Sequence, residues 1–320
     1  MIVATFGLGN VLDNVGPVED PANLVGRTEG TLRLMHDWGY APGLRLLSAE
    51  LLGGSVSSSL LEKYLRSSPR IRLRDGFVVL QGHEELLGKS KHRAQTNRAL
   101  NGHARGVAEN FARDLASVCP FLQCIALSGS VASGGYDVGD DIDFDLFVRS
   151  GTKYLCYLVS ILIGLKYSWR YRNAKGAGLR TIAGLPKVTC INVVWTEDQT
   201  KPFVRQDAAM AFELLHCQPL MGAGVFSRVI RDNNWLENYF PQLFGRSWAD
   251  TVHPRNSKIG QLLGKLEGRP RALRWLDRSC RAVAWLIYSL AQTFWGRSLT
   301  TRARMDFLKR VKYPYEVFQD

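Results

Sequence analysis

A chain of 320 residues, 46% hydrophobic and 22% charged, has an ordinary globular composition with room for two or three domains, and it shows no internal repeat or low-complexity tract. Its formal net charge of +12 points to an anionic partner such as a nucleotide, a nucleic acid or a membrane surface. The six cysteines (Cys119, Cys124, Cys156, Cys190, Cys217, Cys280) form no C-x-x-C pair, which leaves zinc ribbons and thioredoxin-like motifs without support; they read as reduced core thiols of a cytoplasmic protein. The opening "MIVATFGLGN" lacks the basic start and cleavage site of a signal peptide. The longest apolar runs, 154–165 and 282–295, fall short of the roughly 20 residues a bilayer crossing needs. They are expected to be buried helices, with no integral membrane segment.

Along the chain, "EGTLRLMHDWGYAPGLRLLSAELLGG" (29–54) reads as helix, Gly/Pro turn, helix. "VSSSLLEKYLRSSPR" (56–70) starts with serines that can cap a helix and continues at helical spacing. "IRLRDGFVVL" (71–80) alternates around Asp75-Gly76, a hairpin signal. Three short helices and a ribbon predict a winged-helix-like domain over 1–82, either docking a nucleic acid or protein or packing as an accessory. Residues 83–117 read as connecting helices whose Arg93, Arg98, Arg105 and Arg113 form a solvated face. A core domain over 118–206 and a helical C-terminal region over 207–320 complete the expected division. From Pro254 onward 14 Lys/Arg stand against 5 Asp/Glu. Trp275, Trp285 and Trp295 fall at helical spacing and are expected in the core rather than stacked on bases.

Two phosphate-loop look-alikes fail on spacing. "FGLGN" (6–10) has Leu12 where a dinucleotide loop needs its third glycine. In "GHEELLGKS" (82–90) five residues rather than four separate the glycines, and two glutamates would face the phosphates. The histidines form no close pair, so a His-based metal site has no support.

The informative stretch is "CIALSGSVASGGYDVGDDIDFDLFV" (124–148). An apolar strand ends in a Gly-Ser turn, and the next strand carries Asp140, Asp141, Asp143 and Asp145. Alternation places Ile142, Phe144, Leu146 and Val148 on one face and Asp143 and Asp145 on the other, with Asp141 at the strand's start on that second side. Like charges along one face repel, so a cation belongs there. Carboxylates at i and i+2 suit Mg²⁺ or Mn²⁺, which also bind phosphate oxygens. The small Gly129-Ser130 turn lets a polyphosphate approach its backbone N–H groups and the Ser130 hydroxyl.

This pattern resembles the DNA polymerase β-like nucleotidyltransferase superfamily, in which G-S-x-A-x-G is followed five residues later by S-D-I-D-L. Here Gly129-Ser130-Val131-Ala132-Ser133-Gly134 precedes Asp140-Asp141-Ile142-Asp143-Phe144 in the same register. "FELLHCQPLMGAG" and "NNWLENYFP" are similar to segments of a bacterial group that carries this domain between a winged-helix-like segment and C-terminal helices. The resemblance implies an α/β (α+β) nucleotidyltransferase core with a mixed sheet. Asp141 and Asp143 would be the catalytic metal ligands, with Gly129 and Ser130 holding the triphosphate. The implied reaction moves a nucleoside monophosphate from an NTP such as ATP to a hydroxyl of RNA, protein or a small molecule, with Mg²⁺ or Mn²⁺.

Active members carry a third carboxylate on a later strand. The corresponding strand here, "VTCINVVW" (188–195), presents Asn192, which offers an oxygen without charge. Three accounts stay open: Asp145 substitutes, Glu197 or Asp198 past the strand supplies the charge, or the site binds a nucleotide without turning it over. In the last case the protein is a non-catalytic nucleotide- or nucleic-acid-binding regulator. The basic stretch 166–187, with Lys166, Arg170, Arg172, Lys175, Arg180 and Lys187 and no acid, either clamps phosphates and acceptor or is a solvated loop. Arg172, Lys175 and Arg180 are its candidate contacts.

Overall fold

The computed structural model describes residues 21–295 apart from 67, 174–180 and 182–183. In chain order its helices are α1 (Pro21–Asp37), α2 (Leu44–Ala49), α3 (Ser58–Leu65), α4 (Glu85–Val118), α5 (Gly129–Ala132), α6 (Lys153–Arg170), α7 (Ala208–His216), α8 (Ala223–Arg231), α9 (Lys258–Gly264) and α10 (Pro270–Trp295). The strands are β1 (Ile71–Arg74), β2 (Phe77–Leu80), β3 (Leu122–Ser128), β4 (Ile142–Val148), β5 (Thr189–Thr196) and β6 (Gln218–Met221). The chain is a mixed α/β protein. It divides into two compact units, one of Met1–Gln95, Arg205–Leu215 and Asn233–Arg246, the other of Thr96–Val204, His216–Asp232 and Ser247–Asp320. The units therefore do not follow sequence order, because two late segments return to the first.

In the first unit the Ser57 hydroxyl accepts the Leu60 amide and so caps α3. β1 and β2 pair antiparallel across Asp75 and Gly76, whose φ angles of 54° and 79° are the left-handed pair a tight hairpin requires. Leu32, Met35, Leu47, Leu61 and Val78 are buried. The returning segments extend this core: the Phe212 ring lies 5.7 Å from Trp38 and 6.0 Å from Phe240.

The second unit is built on a four-stranded sheet of order β5-β4-β3-β6. β4 runs parallel to β5 and antiparallel to β3, and β6 is antiparallel to β3. One face of β4 (Ile142, Phe144, Leu146, Val148) enters the main core. There Phe144 stacks 4.7 Å from Phe111 of α4, which meets Tyr167 of α6 at 5.5 Å. Burying a side chain of this size contributes about 2–3 kcal/mol. On the other face Phe147 meets Trp195 and Phe226 at 5.1 and 5.8 Å. The C-terminal end of β4 is thus covered on both faces, and the open end is where its aspartates begin.

Several expectations need correcting. α10 buries one stripe, Leu273, Asp277, Cys280 and Ala284, while Val283, Leu286 and Leu290 are exposed. Trp275 and Trp285 are 71% and 58% exposed, so neither is a core residue; the side chain of Trp295 lies outside the described residues. A helix packed on a single neighbour buries one stripe and leaves its other faces outward. In α6 the first turns are buried, but Leu162 and Trp169 are exposed. Arg93, Arg105 and Arg113 are half-buried rather than solvated, and Arg98 is exposed. Among the described residues no helix is long and apolar enough to cross a membrane.

Candidate active site

The register between β3 and β4 puts Ser128 opposite Asp143, so the Gly129-Ser130 turn and the aspartates meet. Gly129 has a φ of 62° and packs against Asp143 so closely that a Cβ there would run into its carboxylate. No other residue type fits this turn without shifting Asp143. The Ser130 hydroxyl is buried beside it with no hydrogen-bond partner. A buried hydroxyl left unpaired costs about 1–3 kcal/mol, which a ligand oxygen would recover. The turn is held from behind by Gln218 of β6, whose amide donates to the Ala132 carbonyl (2.7 Å) and whose side-chain oxygen accepts from Arg105 of α4.

The four aspartates separate into three roles. Asp140 closes a turn: its carboxylate accepts the Asp137 amide (3.2 Å) and its own amide donates to the Asp137 carbonyl (2.9 Å). Asp141 and Asp143 stand at the open end of β4. Asp145 is buried with no exposed surface; it accepts from the Ser128 hydroxyl at 3.0 Å and from the Cys217 thiol at 3.1 Å. Asn192 completes that inner chain by donating to the Ser128 oxygen at 3.0 Å. A bulge pairs Phe144 with Ile191 but Asp145 with Val193, leaving Asn192 as the extra residue.

Two residues join the outer pair that the strand pattern did not single out. The Lys187 ammonium lies 2.6 Å from Asp141 Oδ2, with side chains only 17% and 8% exposed. Burial works to lower the Lys187 pKa, but the Asp141 carboxylate and the Cys190 contact outweigh it and raise it. Cys190 pairs with Asp143 across β4 and β5. It is half-buried against the carboxylates rather than a core thiol. Burial, then Asp141 and Asp143, push this thiol up to about 12 against the pull of Lys187. One ligand atom each of Asp141, Asp143 and Cys190 lies within 4.8 Å of the others. The carboxylate oxygens suit a hard divalent cation; a protonated thiol does not add to that.

The remaining candidates lie apart from this cluster. Glu197 pairs with Lys201 at 2.7 Å, and the hydrogen bond with that ammonium holds it below the usual carboxylate range. Asp198 accepts from the Ser150 hydroxyl, which lowers it likewise. Both follow Thr196, which pairs with Val148 at the far end of β4, about 17 Å along the strand from Asp143. Arg172 lies over the Trp169 ring at 5.0 Å and donates to its carbonyl. Lys175 and Arg180 lie outside the described residues. The available signal for Lys187 was its place just before the strand that carries Asn192, and for Cys190 its position two residues from Asn192. No protein-family model matches the chain, and no curated protein or solved structure matches it.

Proposed function

We propose that the protein is a metal-dependent nucleotidyltransferase of the polymerase β-like class. The observation that carries this reading is the meeting of the Gly129-Ser130 turn with Asp143, grouped with Asp141, at the start of β4, together with the buried, unpartnered hydroxyl of Ser130 in that turn. In this reading Asp141 and Asp143 hold a Mg²⁺ or Mn²⁺ that also binds the triphosphate of an NTP such as ATP, and Ser130 donates to a phosphate oxygen. An acceptor hydroxyl gives up its proton and forms a new bond to the α-phosphorus; the bond to the β-phosphate oxygen breaks, and pyrophosphate leaves. Within the first unit, the three helices α1–α3 followed by the β1–β2 hairpin are read as a winged-helix-like docking module for the acceptor.

The test is incubation of purified protein with each α-³²P-labelled NTP, Mg²⁺ or Mn²⁺, and RNA or cell lysate. Label moves onto an acceptor with the wild type and not with Asp141→Ala/Asp143→Ala. Nucleotide binding without transfer would support the second reading, a regulator on a catalytically retired site, which the spending of Asn192 on Ser128 favours. The exposed Trp275 and Trp285, on a helix that also exposes Arg271, Arg274 and Arg278, favour a phosphate-bearing acceptor, since cations and rings together suit a single-stranded nucleic acid.

A further inference from the structure

Sites that transfer nucleotides with two metal ions hold those ions about 3.5–4 Å apart and share them among carboxylates. Here the place beside Asp141 is already taken. The Lys187 ammonium sits 2.6 Å from Asp141 Oδ2 in a pair that is largely shielded from water. On β5, where a further carboxylate would have to face this end of β4, the residues are Cys190, next to Lys187, and Asn192, whose amide is used on Ser128. The outer site therefore offers no third carboxylate to hold a second divalent ion, and one of its two carboxylates is already paired with a fixed positive charge. Ion pairs removed from water are also costly to break on one side, because the other partner is left unpaired.

We propose that the Lys187 ammonium takes the place of one divalent cation, so that the site binds a single Mg²⁺ or Mn²⁺ with the nucleotide rather than a pair. The inference rests on the reading of Asp141 and Asp143 as metal ligands. Lys187 neutralises part of the Asp141 charge, and Asp143 with Asp141 would hold the ion.

The experiment counts Mn²⁺ by equilibrium dialysis of the full chain against Mn²⁺ and a saturating α,β-methylene analogue of ATP, so that ion on free nucleotide is equal on both sides and the excess on the protein side is the ion bound with the chain. One Mn²⁺ per chain is expected with the wild type; two, or none, overturns the inference. Without nucleotide, Lys187→Gln is expected to bind Mn²⁺ at least about tenfold more tightly, because a like charge has been removed from beside the ion. Lys187→Arg, which keeps the charge, stays within about twofold of the wild type. Unchanged or weaker binding by a folded Lys187→Gln protein would overturn the inference. The wild-type count stands even if that variant does not fold. Label transfer is a separate readout. One ion without transfer removes the enzyme and keeps Lys187 as the resident cation; two ions with transfer do the reverse.

Discussion

Asp143 and Asp145 are two residues apart on one strand and one face, yet they do different things. Asp143 is half-buried near the start of the strand, against the glycine of a turn whose next residue, Ser130, has an unpartnered hydroxyl. Asp145 is sealed below it and accepts from Ser128 and Cys217. Depth decides the difference. A carboxylate in the interior is tolerated when donors satisfy it, and those donors leave it little capacity for a ligand. One at the rim keeps water access and can exchange water for a cation. The same residue type thus offers a candidate ligand at one end of the strand and forms a structural clasp a few ångströms further in.

The most severe test of that contrast is Asp143→Asn, nearly isosteric and without the charge. Transfer of nucleotide is expected to fall at least about 10²-fold, since a metal ligand contributes several kcal/mol to the transition state. The melting temperature should stay within a few degrees of the wild type. A variant that keeps its activity would remove Asp143 from the site. Asp145→Ala should invert the pattern. It leaves the buried Ser128 hydroxyl short of an acceptor and opens a small void. An unfolding free energy lower by about 2–4 kcal/mol, measured in urea, is expected. Activity per folded molecule should fall far less than in Asp143→Asn. If Asp145→Ala abolished activity while remaining stable, Asp145 would belong with the metal ligands.

The strand and its two faces are legible in the sequence, but the different depth of Asp143 and Asp145 is not: alternation alone leaves Asp145 open as a substitute for the third carboxylate. Alternation in "IDFDLFV" put the aspartates opposite Phe144 and Leu146, and β4 has those bounds and those buried residues. The hairpin at Asp75-Gly76 was equally plain, because its turn chemistry is local. What the sequence hid was contact at a distance. Lys187 looked like one more charge in a basic loop, since nothing in a loop's composition says which carboxylate it reaches. Cys190 looked like core because cysteine usually is. The bulge at Asn192 depends on pairing with β4, which a period-two pattern along a single strand cannot show. The exposed tryptophans of α10 escaped for a related reason: helical spacing marks a stripe, and only packing says whether anything covers it.

Gly129→Ala should come next in size, because it strikes at the contact through which turn and rim carboxylate meet. The added methyl group meets the Asp143 carboxylate at a backbone angle that alanine avoids. Strain of about 1–2 kcal/mol is expected from the left-handed conformation alone. Asp143 must also move to make room. Activity should therefore fall about tenfold or more, with a modest drop in stability. A stability loss as large as that of Asp145→Ala, with activity per folded molecule intact, would mean that the turn only supports the fold.

The smallest effect is expected at Asn192, and it carries the most information about the retired-site reading. Its amide donates one hydrogen bond to the Ser128 oxygen, and Ser128 in turn donates to Asp145. Asn192→Ala removes that single neutral bond, worth about 0.5–1.5 kcal/mol, and leaves Ser128 still able to donate. Stability should shift by about that amount, and transfer by less than about threefold, because Asn192 acts on the inner clasp. Asn192→Asp sharpens the point. It replaces the donor with a charge near buried Asp145, so without metal the variant should be less stable than Asn192→Ala. If Mg²⁺ restored that stability and raised transfer above the wild type, Asn192 would stand where a catalytic carboxylate belongs. If Mg²⁺ left the variant unchanged, the bulge would have carried residue 192 out of reach of the metal, and activity would rest on Asp141, Asp143 and Lys187.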